Sequence, residues 1–348
     1  MYKPDKPKLI LAFTSLTTGG GLTFLRHIAP LSEFFEVAYF SLVKPDTLLA
    51  ETLPVEKASF NDLINSESIL VANSQPTAML FAMLRVNRRF FYVTHGYANA
   101  FSFLPWYRRL SSLFVYKLLS RKINFIACGS DEAEQLLQIT SPRSSIITIH
   151  NAVSVKGSMI APTGHTKRRY LFIGRICYQK GIDVLLRALA DLPFKIELDV
   201  AGPRQSSEKA YYRETIALVA ETKRLGHEVN LLGSVDINNF PFSDYSFVIL
   251  PSRFEGFAYL PLELSAAGAR YILSDCRGQG ELLSAGFVSK YSFTNGSPKS
   301  LANCLIGLDS QDSAQTNAEC ATMNEQRRDQ YSYQNFLDEY KELFLAQP

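Results

Sequence analysis

The feature that most limits the fold of this chain is a recurring unit: a short, nearly uninterrupted apolar run, then Gly or polar residues, then a stretch with helical spacing. In the first half the runs are Leu9 to Phe13, Val37 to Leu42, Ile69 to Ala72, Phe90 to Val93, Ile123 to Ala127 and Ile146 to Ile149. In the second half they are Tyr170 to Ile173, Ile196 to Ala201, Val229 to Leu232, Phe247 to Leu250, Tyr271 to Leu273 and Val288 to Tyr291. Runs with so little polar alternation suit strands covered on both faces, and a helix between successive strands enforces parallel pairing. The pattern predicts an α/β protein of two doubly wound, Rossmann-like domains. A single core stops growing at about 250 to 300 residues, and the chain has 348. The periodicity breaks between Val155 and Arg168, at Gly157, Pro162 and Gly164. Expected boundaries are therefore 1–165 for the first domain, 166–328 for the second and 329–348 for a terminal helix, where Phe336, Tyr340, Leu343 and Phe344 keep helical spacing. Ligands of open α/β sheets bind beyond the carboxyl ends of the strands. Two such domains facing one another place their loops in a central cleft.

Apolar residues at 47% and charged residues at 20% exclude a disordered or disulfide-stapled chain. The five cysteines are scattered and never paired as Cys-x-x-Cys, which points to a reducing compartment and away from zinc. No Asp-x-Asp pair or His/carboxylate spacing asks for a metal, so no metal and no cofactor is expected. Leu9 to Phe13 is too short for a signal-peptide core. The longest apolar stretch, Ile69 to Leu84, is broken by Asn73, Ser74, Gln75 and Pro76. A cytoplasmic protein is expected. The net charge is only +3, but no Asp or Glu stands between Ser68 and Ser130. There Arg85, Arg88, Arg89, Arg108, Arg109, Lys117, Arg121 and Lys122 are the charged residues. Such asymmetry favours phosphates or anionic lipid headgroups, with no nucleic acid among the expected partners. The segment Trp106 to Lys122 mixes aromatic, aliphatic and cationic residues; it reads either as an interfacial helix or as a core helix with a basic face.

Candidate site residues follow the strands. Gly20 and Gly21 lie between the first run and a helix, where backbone N–H groups and a helix N-terminus can approach an anion. Gly174, Arg175 and Lys180 follow the Tyr170 run, placing two cations at a strand end, as a diphosphate leaving group requires. After Phe247 to Leu250 come Glu255, Gly256, Phe257 and, within a helix starting near Leu260 or Pro261, Glu263. A carboxylate accepts from two sugar hydroxyls at once, so one Glu is suited to a donor sugar and the other to a ribose. Each of these residues also has a plainer reading, as a loop charge or a helix-dipole partner. His95 in Thr94-His95-Gly96 is equally readable as a satisfied strand-end histidine.

Taken in order, Gly174-Arg175, Lys180-Gly181, Ala201-Gly202-Pro203, Leu232-Gly233, Pro251-Ser252-Arg253-Phe254-Glu255-Gly256-Phe257, Glu263 and Ser274-Asp275-Cys276-Arg277-Gly278-Gln279-Gly280-Glu281 resemble the retaining family-4 glycosyltransferases of GT-B fold. The first half is similar more loosely, through Gly19 to Gly21, Thr94-His95-Gly96, Ser130 and His150-Asn151-Ala152-Val153. The resemblance implies a nucleotide-sugar donor held mainly by the second domain and a lipid-linked or oligosaccharide acceptor met by the first. It implies Arg175 and Lys180 on the diphosphate, Glu263 on the ribose, and Glu255 with Gly256 and Phe257 on the donor sugar and phosphate. His95 would face the reacting sugar, and Gly20 and Gly21 would lie near the phosphates or acceptor. The terminal helix would return to brace the first domain. Gln179, Arg270-Tyr271, Ala258 and Leu264 depart from the family pattern without removing a charged contact. Transfer to a lipid-linked glycan of a bacterial surface polysaccharide, on the inner face of the plasma membrane, is the expected activity. A glycoside hydrolase, or a non-catalytic binding or scaffold protein of the same fold, is the alternative.

Overall fold

The computed structural model describes residues 6–16, 20–43, 52–65, 67–84, 89–96, 98, 101–140, 145–152, 168–237, 240–283 and 290–346. It forms two compact units, Met1–Ala152 with Tyr333–Pro348, and Val153–Ser332. The seam expected at residue 165 lies outside the described residues.

The first unit carries a seven-stranded sheet of β1 (Lys8–Ser15), β2 (Glu36–Val43), β3 (Glu56–Lys57), β4 (Ile69–Ala72), β5 (Phe90–Val93), β6 (Asn124–Ala127) and β7 (Ile146–Thr148). Every pairing is parallel, in the order β3-β2-β1-β4-β5-β6-β7. Leu9, Ile10, Leu11 and Ala12 of β1 are wholly buried, as a central strand with helices on both faces requires. The helices are α1 (Gly20–Ile28), α2 (Phe60–Ile64), α3 (Gln75–Leu84), α4 (Trp106–Leu119) and α5 (Ser130–Ile139). The terminal helix, Tyr333–Ala346, belongs to this unit and buries Phe336, Tyr340 and Phe344. Phe24 of α1 meets Tyr340 edge-on at 5.6 Å, and the Tyr333 hydroxyl donates to the His27 carbonyl at 2.9 Å.

The second unit carries a six-stranded parallel sheet, in the order β10-β9-β8-β11-β12-β13. Its strands are β8 (Arg169–Ile173), β9 (Glu197–Ala201), β10 (Glu228–Gly233), β11 (Phe247–Leu250), β12 (Tyr271–Ser274) and β13 (Ser292–Phe293). Its helices are α6 (Ile182–Ala188), α7 (Lys209–Arg224), α8 (Tyr259–Ala266), α9 (Pro298–Asp309) and α10 (Ser313–Gln330). The chain leaves β8 towards β9 on one side and later returns to β11 on the other, so β8/β11 is the switch point where two strand-end loops diverge. In the first sheet the same role falls to β1/β4.

Three details differ from the sequence expectation. The last strand is Ser292–Phe293 rather than Val288 to Tyr291, part of which lies outside the described residues. The run Val229 to Leu232 is an edge strand, so Val229 is buried while Leu231 and Leu232 stay exposed. The edge strand Glu56–Lys57 consists of two charged residues and carries no apolar signal at all.

Candidate active site

The loops beyond β8 and β11 meet because glycine lets their backbones touch. Gly181 sits at φ 65°, and a Cβ there would lie 2.1 Å from the Pro251 carbonyl oxygen. Gly278, at φ 81°, passes under the second loop, where a Cβ would lie 2.0 Å from the Gly256 carbonyl oxygen. Only glycine permits either approach. A single 3₁₀ turn, Tyr178–Lys180, then aims Lys180 across the switch point, and its Nζ lies 2.6 Å from Glu255 Oε1. Glu255 is buried, and its other oxygen accepts from Gln179 Nε2 at 3.3 Å. The same Gln179 amide donates to the Phe254 carbonyl at 3.2 Å.

A second ion pair locks this geometry from behind. Arg253 donates through both terminal nitrogens to Asp183 of α6, at 2.9 and 2.7 Å, and from Nη1 to the Tyr178 carbonyl at 2.8 Å. Its guanidinium stacks on the Tyr178 ring, 4.1 Å from the centroid. Burial works against the Asp183 carboxylate, but hydrogen bonds from Arg253 and from Tyr211, at 2.5 Å, outweigh it and hold its pKa below the ordinary value. The sequence offered Arg253 only as part of a motif. Its partner Asp183 gave no signal beyond an acid in the first turn of a helix.

Arg175 is exposed beside this pair, touching Gln205 at 3.2 Å and Gln179 at 3.4 Å, with no carboxylate partner among the described residues. Glu263 lies in the second turn of α8, which starts at Tyr259 rather than at Leu260 or Pro261. Burial raises the Glu263 pKa, the Lys180 charge opposes the shift, and no hydrogen-bond partner for it stands among the described residues. No side chain caps the N-terminus of α8, which leaves the helix end suited to an anion. A pocket lined by both apolar and charged side chains opens between Phe172, Ile173, Lys180, Leu250, Glu255 and Gln279. Phe257 does not point into it: the side chain is buried, with its ring 4.8 Å from that of Tyr331, so a donor contact from Phe257 is left to its backbone. Among the described residues no group of three His, Cys, Asp or Glu side chains is placed to hold a metal.

The remaining candidates belong to the first unit. Gly20 and Gly21 open α1 after β1, while Gly19 lies outside the described residues. His95 follows β5 at φ 45°, the left-handed region that a non-glycine residue enters only under constraint. Its Nε2 donates to Asn73 Oδ1 at 3.0 Å, and its Nδ1 lies 3.6 Å from Cys128 Sγ. The ring is partly accessible but densely surrounded, with Phe24 edge-on at 5.1 Å, and burial pushes its pKa down to about 4. As placed, His95 is neutral and both ring nitrogens are engaged within the unit. What holds its backbone is Glu132, which the sequence did not single out. From the first turn of α5, Glu132 accepts the Gly96 N–H at 2.7 Å, and the Ala98 and Cys128 N–H groups at 3.4 Å. Burial pushes the Glu132 pKa up to about 7.

Comparison with known families places the second unit. Residues 167–310 match the glycosyl transferases group 1 family. They form a group 1 glycosyltransferase domain. Over 178 residues, 49% of the chain, it is 26% identical to the lipopolysaccharide core biosynthesis mannosyltransferase LpcC of Rhizobium leguminosarum bv. viciae. That alignment spans half of the relative's length. Anabaena HepE, solved with UDP and glucose, superposes with a TM-score of 0.83 at 16% identity, covering 98% of this chain and 100% of that one. The sucrose-phosphate synthase of Thermosynechococcus elongatus gives a TM-score of 0.79 at 17% identity, with 98% and 100% covered. The two Rossmann-like units are thus those of the GT-B fold, and the group 1 domain is the unit that carries Lys180, Glu255 and Glu263.

Proposed function

We propose that the chain is a glycosyltransferase that moves a hexosyl group from a nucleotide-sugar, with retention of anomeric configuration, to a lipid-linked glycan acceptor in surface-polysaccharide biosynthesis. The observation that carries this reading is the Lys180–Glu255 ion pair across the β8/β11 switch point, with Arg175, which has no carboxylate partner among the described residues, beside it. In this reading Lys180 exchanges Glu255 for the donor diphosphate, joined by Arg175 and by the N–H groups of Gly256 and Phe257. Glu255, released from Lys180, accepts from the donor-sugar hydroxyls. Glu263, whose raised pKa marks a carboxyl short of partners, accepts from the ribose diol.

The bond from the anomeric carbon to the phosphate oxygen breaks with its electrons going to the diphosphate, whose growing charge meets Arg175 and Lys180. The acceptor hydroxyl attacks the same face and passes its proton to the departing phosphate oxygen. No protein nucleophile and no metal is required. Support for the donor class comes from the UDP bound in the Anabaena neighbour, and support for a lipid-linked acceptor from the lipopolysaccharide mannosyltransferase relative. A cytoplasmic enzyme, peripheral on the inner face of the plasma membrane, fits that acceptor, and no helix of the described residues is long and apolar enough to span a membrane.

The test is incubation with a panel of nucleotide-sugars, scoring nucleotide release with and without a membrane extract. Release that requires both the donor and the extract, and that is lost in Glu255→Ala, is expected. Free sugar made from an uncharged glycoside would instead assign a hydrolase. No turnover with any donor would assign a binding protein.

A further inference from the structure

Helix α4 of the first unit packs Tyr116, Leu113 and Val115 against the core, yet turns a second set of large apolar side chains outward. Ser112 and Tyr116 are buried, the Tyr116 ring stacking on Phe125 at 5.9 Å. Trp106 and Phe114, by contrast, are 74% and 70% exposed, and Tyr107, Leu110 and Leu118 are exposed with them. At 3.6 residues per turn these five positions fall within an arc of about 120°, opposite Ser112 and Tyr116. Lys122 Nζ donates to the Ala82 carbonyl at 3.0 Å, which brings the exposed Met83 and Leu84 of α3 to the same end. Isolated exposed apolar residues need no explanation, but a continuous stripe of this size marks an interaction surface.

The surrounding charge identifies its occupant. Arg108 and Lys117 on the helix, and Arg121 and Lys122 just beyond it, are exposed, and the sequence holds no acidic residue from Ser68 to Ser130. Lys117 falls inside the apolar arc itself, where its stem can lie along the stripe while its ammonium reaches phosphate. A second copy of the chain would bring like charges together on this face, which costs affinity. Trp and Tyr beside Arg and Lys are the side chains favoured at the boundary between headgroups and acyl chains. We propose that α4 docks the protein on a bilayer surface bearing anionic phospholipid headgroups, its stripe entering the headgroup boundary and its cations pairing with lipid phosphate. This surface is separate from the donor pocket, and the proposal does not depend on the transfer reaction.

Trp106 is the single tryptophan of the chain, so its emission reports the stripe directly. Vesicles of phosphatidylcholine and phosphatidylglycerol in equal parts, with no donor or acceptor present, should shift that emission to the blue and carry the protein upward in flotation. Vesicles of phosphatidylcholine alone should do neither. Phe114→Ser, at an exposed position that leaves the core intact, should weaken vesicle binding about tenfold. Arg108→Ala should weaken it about fivefold, and raised salt should abolish the difference. An unshifted emission with anionic vesicles, an equal shift with neutral ones, or unchanged binding in Phe114→Ser would each overturn the proposal. A concentration-dependent dimer dissolved by Phe114→Ser would assign the face to a second copy instead. Vesicles carry no substrate, so failure here leaves the glycosyltransferase reading standing.

Discussion

Two strand-end clusters on the same kind of parallel sheet are filled in opposite ways. In the second unit the loops after β8 and β11 are joined by charge: Lys180 to Glu255, and Arg253 to Asp183 behind them. In the first unit the loop after β5 is joined by a His95 kept unprotonated and by a buried Glu132 whose pKa is pushed up to about 7. A shared architecture therefore supplies the location, and local sequence decides whether that location can hold a leaving group's charge. The charged pair has its counter-charge within reach and a pocket at its side, so an incoming anion can compete for Lys180. The His95–Glu132 cluster has no comparable cation among the described residues; its hydrogen bonds hold the left-handed turn at His95 in place.

That contrast breaks most readily at Lys180. Lys180→Ala should lower kcat/KM by about 100- to 1,000-fold, measured by nucleotide release, and should also lower Tm, because the buried Glu255 carboxylate loses its counter-charge. A small change in turnover would mean that charge at the switch point is structural. Gly181→Ala should cost roughly 100-fold without touching any charged group, since its Cβ would collide with the Pro251 carbonyl and separate the loops. Arg175→Ala, which removes an exposed cation, should cost about tenfold, seen chiefly in KM for the donor.

The smallest effect sharpens the other side of the comparison. Glu132 is raised from 4.5 to about 7, so its contribution to stability is complete below about pH 4.5 and is lost as pH rises through about 7. His95 is lowered from 6.5 to about 4, so its contribution is present above about pH 6.5 and is lost as pH falls through about 4. The two slopes oppose one another between about pH 4.5 and 6.5. Glu132→Gln removes one of them, so the Tm of the variant should rise more steeply with pH across that window than the Tm of the parent. Parallel Tm profiles would show that Glu132 is not the titrating partner.

The sequence made the strands legible wherever a run was long and apolar, because burial on both faces leaves no polar alternation to blur the signal. It made the β8/β11 site legible because Arg175, Lys180 and Glu255 are charged residues beyond strand ends, with Glu263 in the helix that follows. What it hid was pairing. Nothing in the order of residues says that Lys180 and Glu255 neutralise each other, or that Gly181 passes against Pro251, since both contacts join loops about seventy residues apart and depend on β8 lying beside β11. Glu132 was hidden for a different reason. A buried carboxylate serving backbone N–H groups looks, in sequence, like any acid in a helical first turn. The α4 stripe was visible as a pattern, but periodicity assigns residues to a face without saying which face is covered. The same holds for Phe257, whose motif position suggested a donor contact and whose ring turned inward to Tyr331.

The measurement closest to the account is calorimetric titration of a nucleoside diphosphate, UDP and GDP in turn, into the parent protein and into Lys180→Ala. At least one of them should bind the parent, and the variant should bind it about 50-fold more weakly, while Glu132→Gln binds as the parent does. Equal affinity in the parent and Lys180→Ala, or no binding of either diphosphate to the parent, would contradict the assignment of charge and leaving group to the β8/β11 switch point.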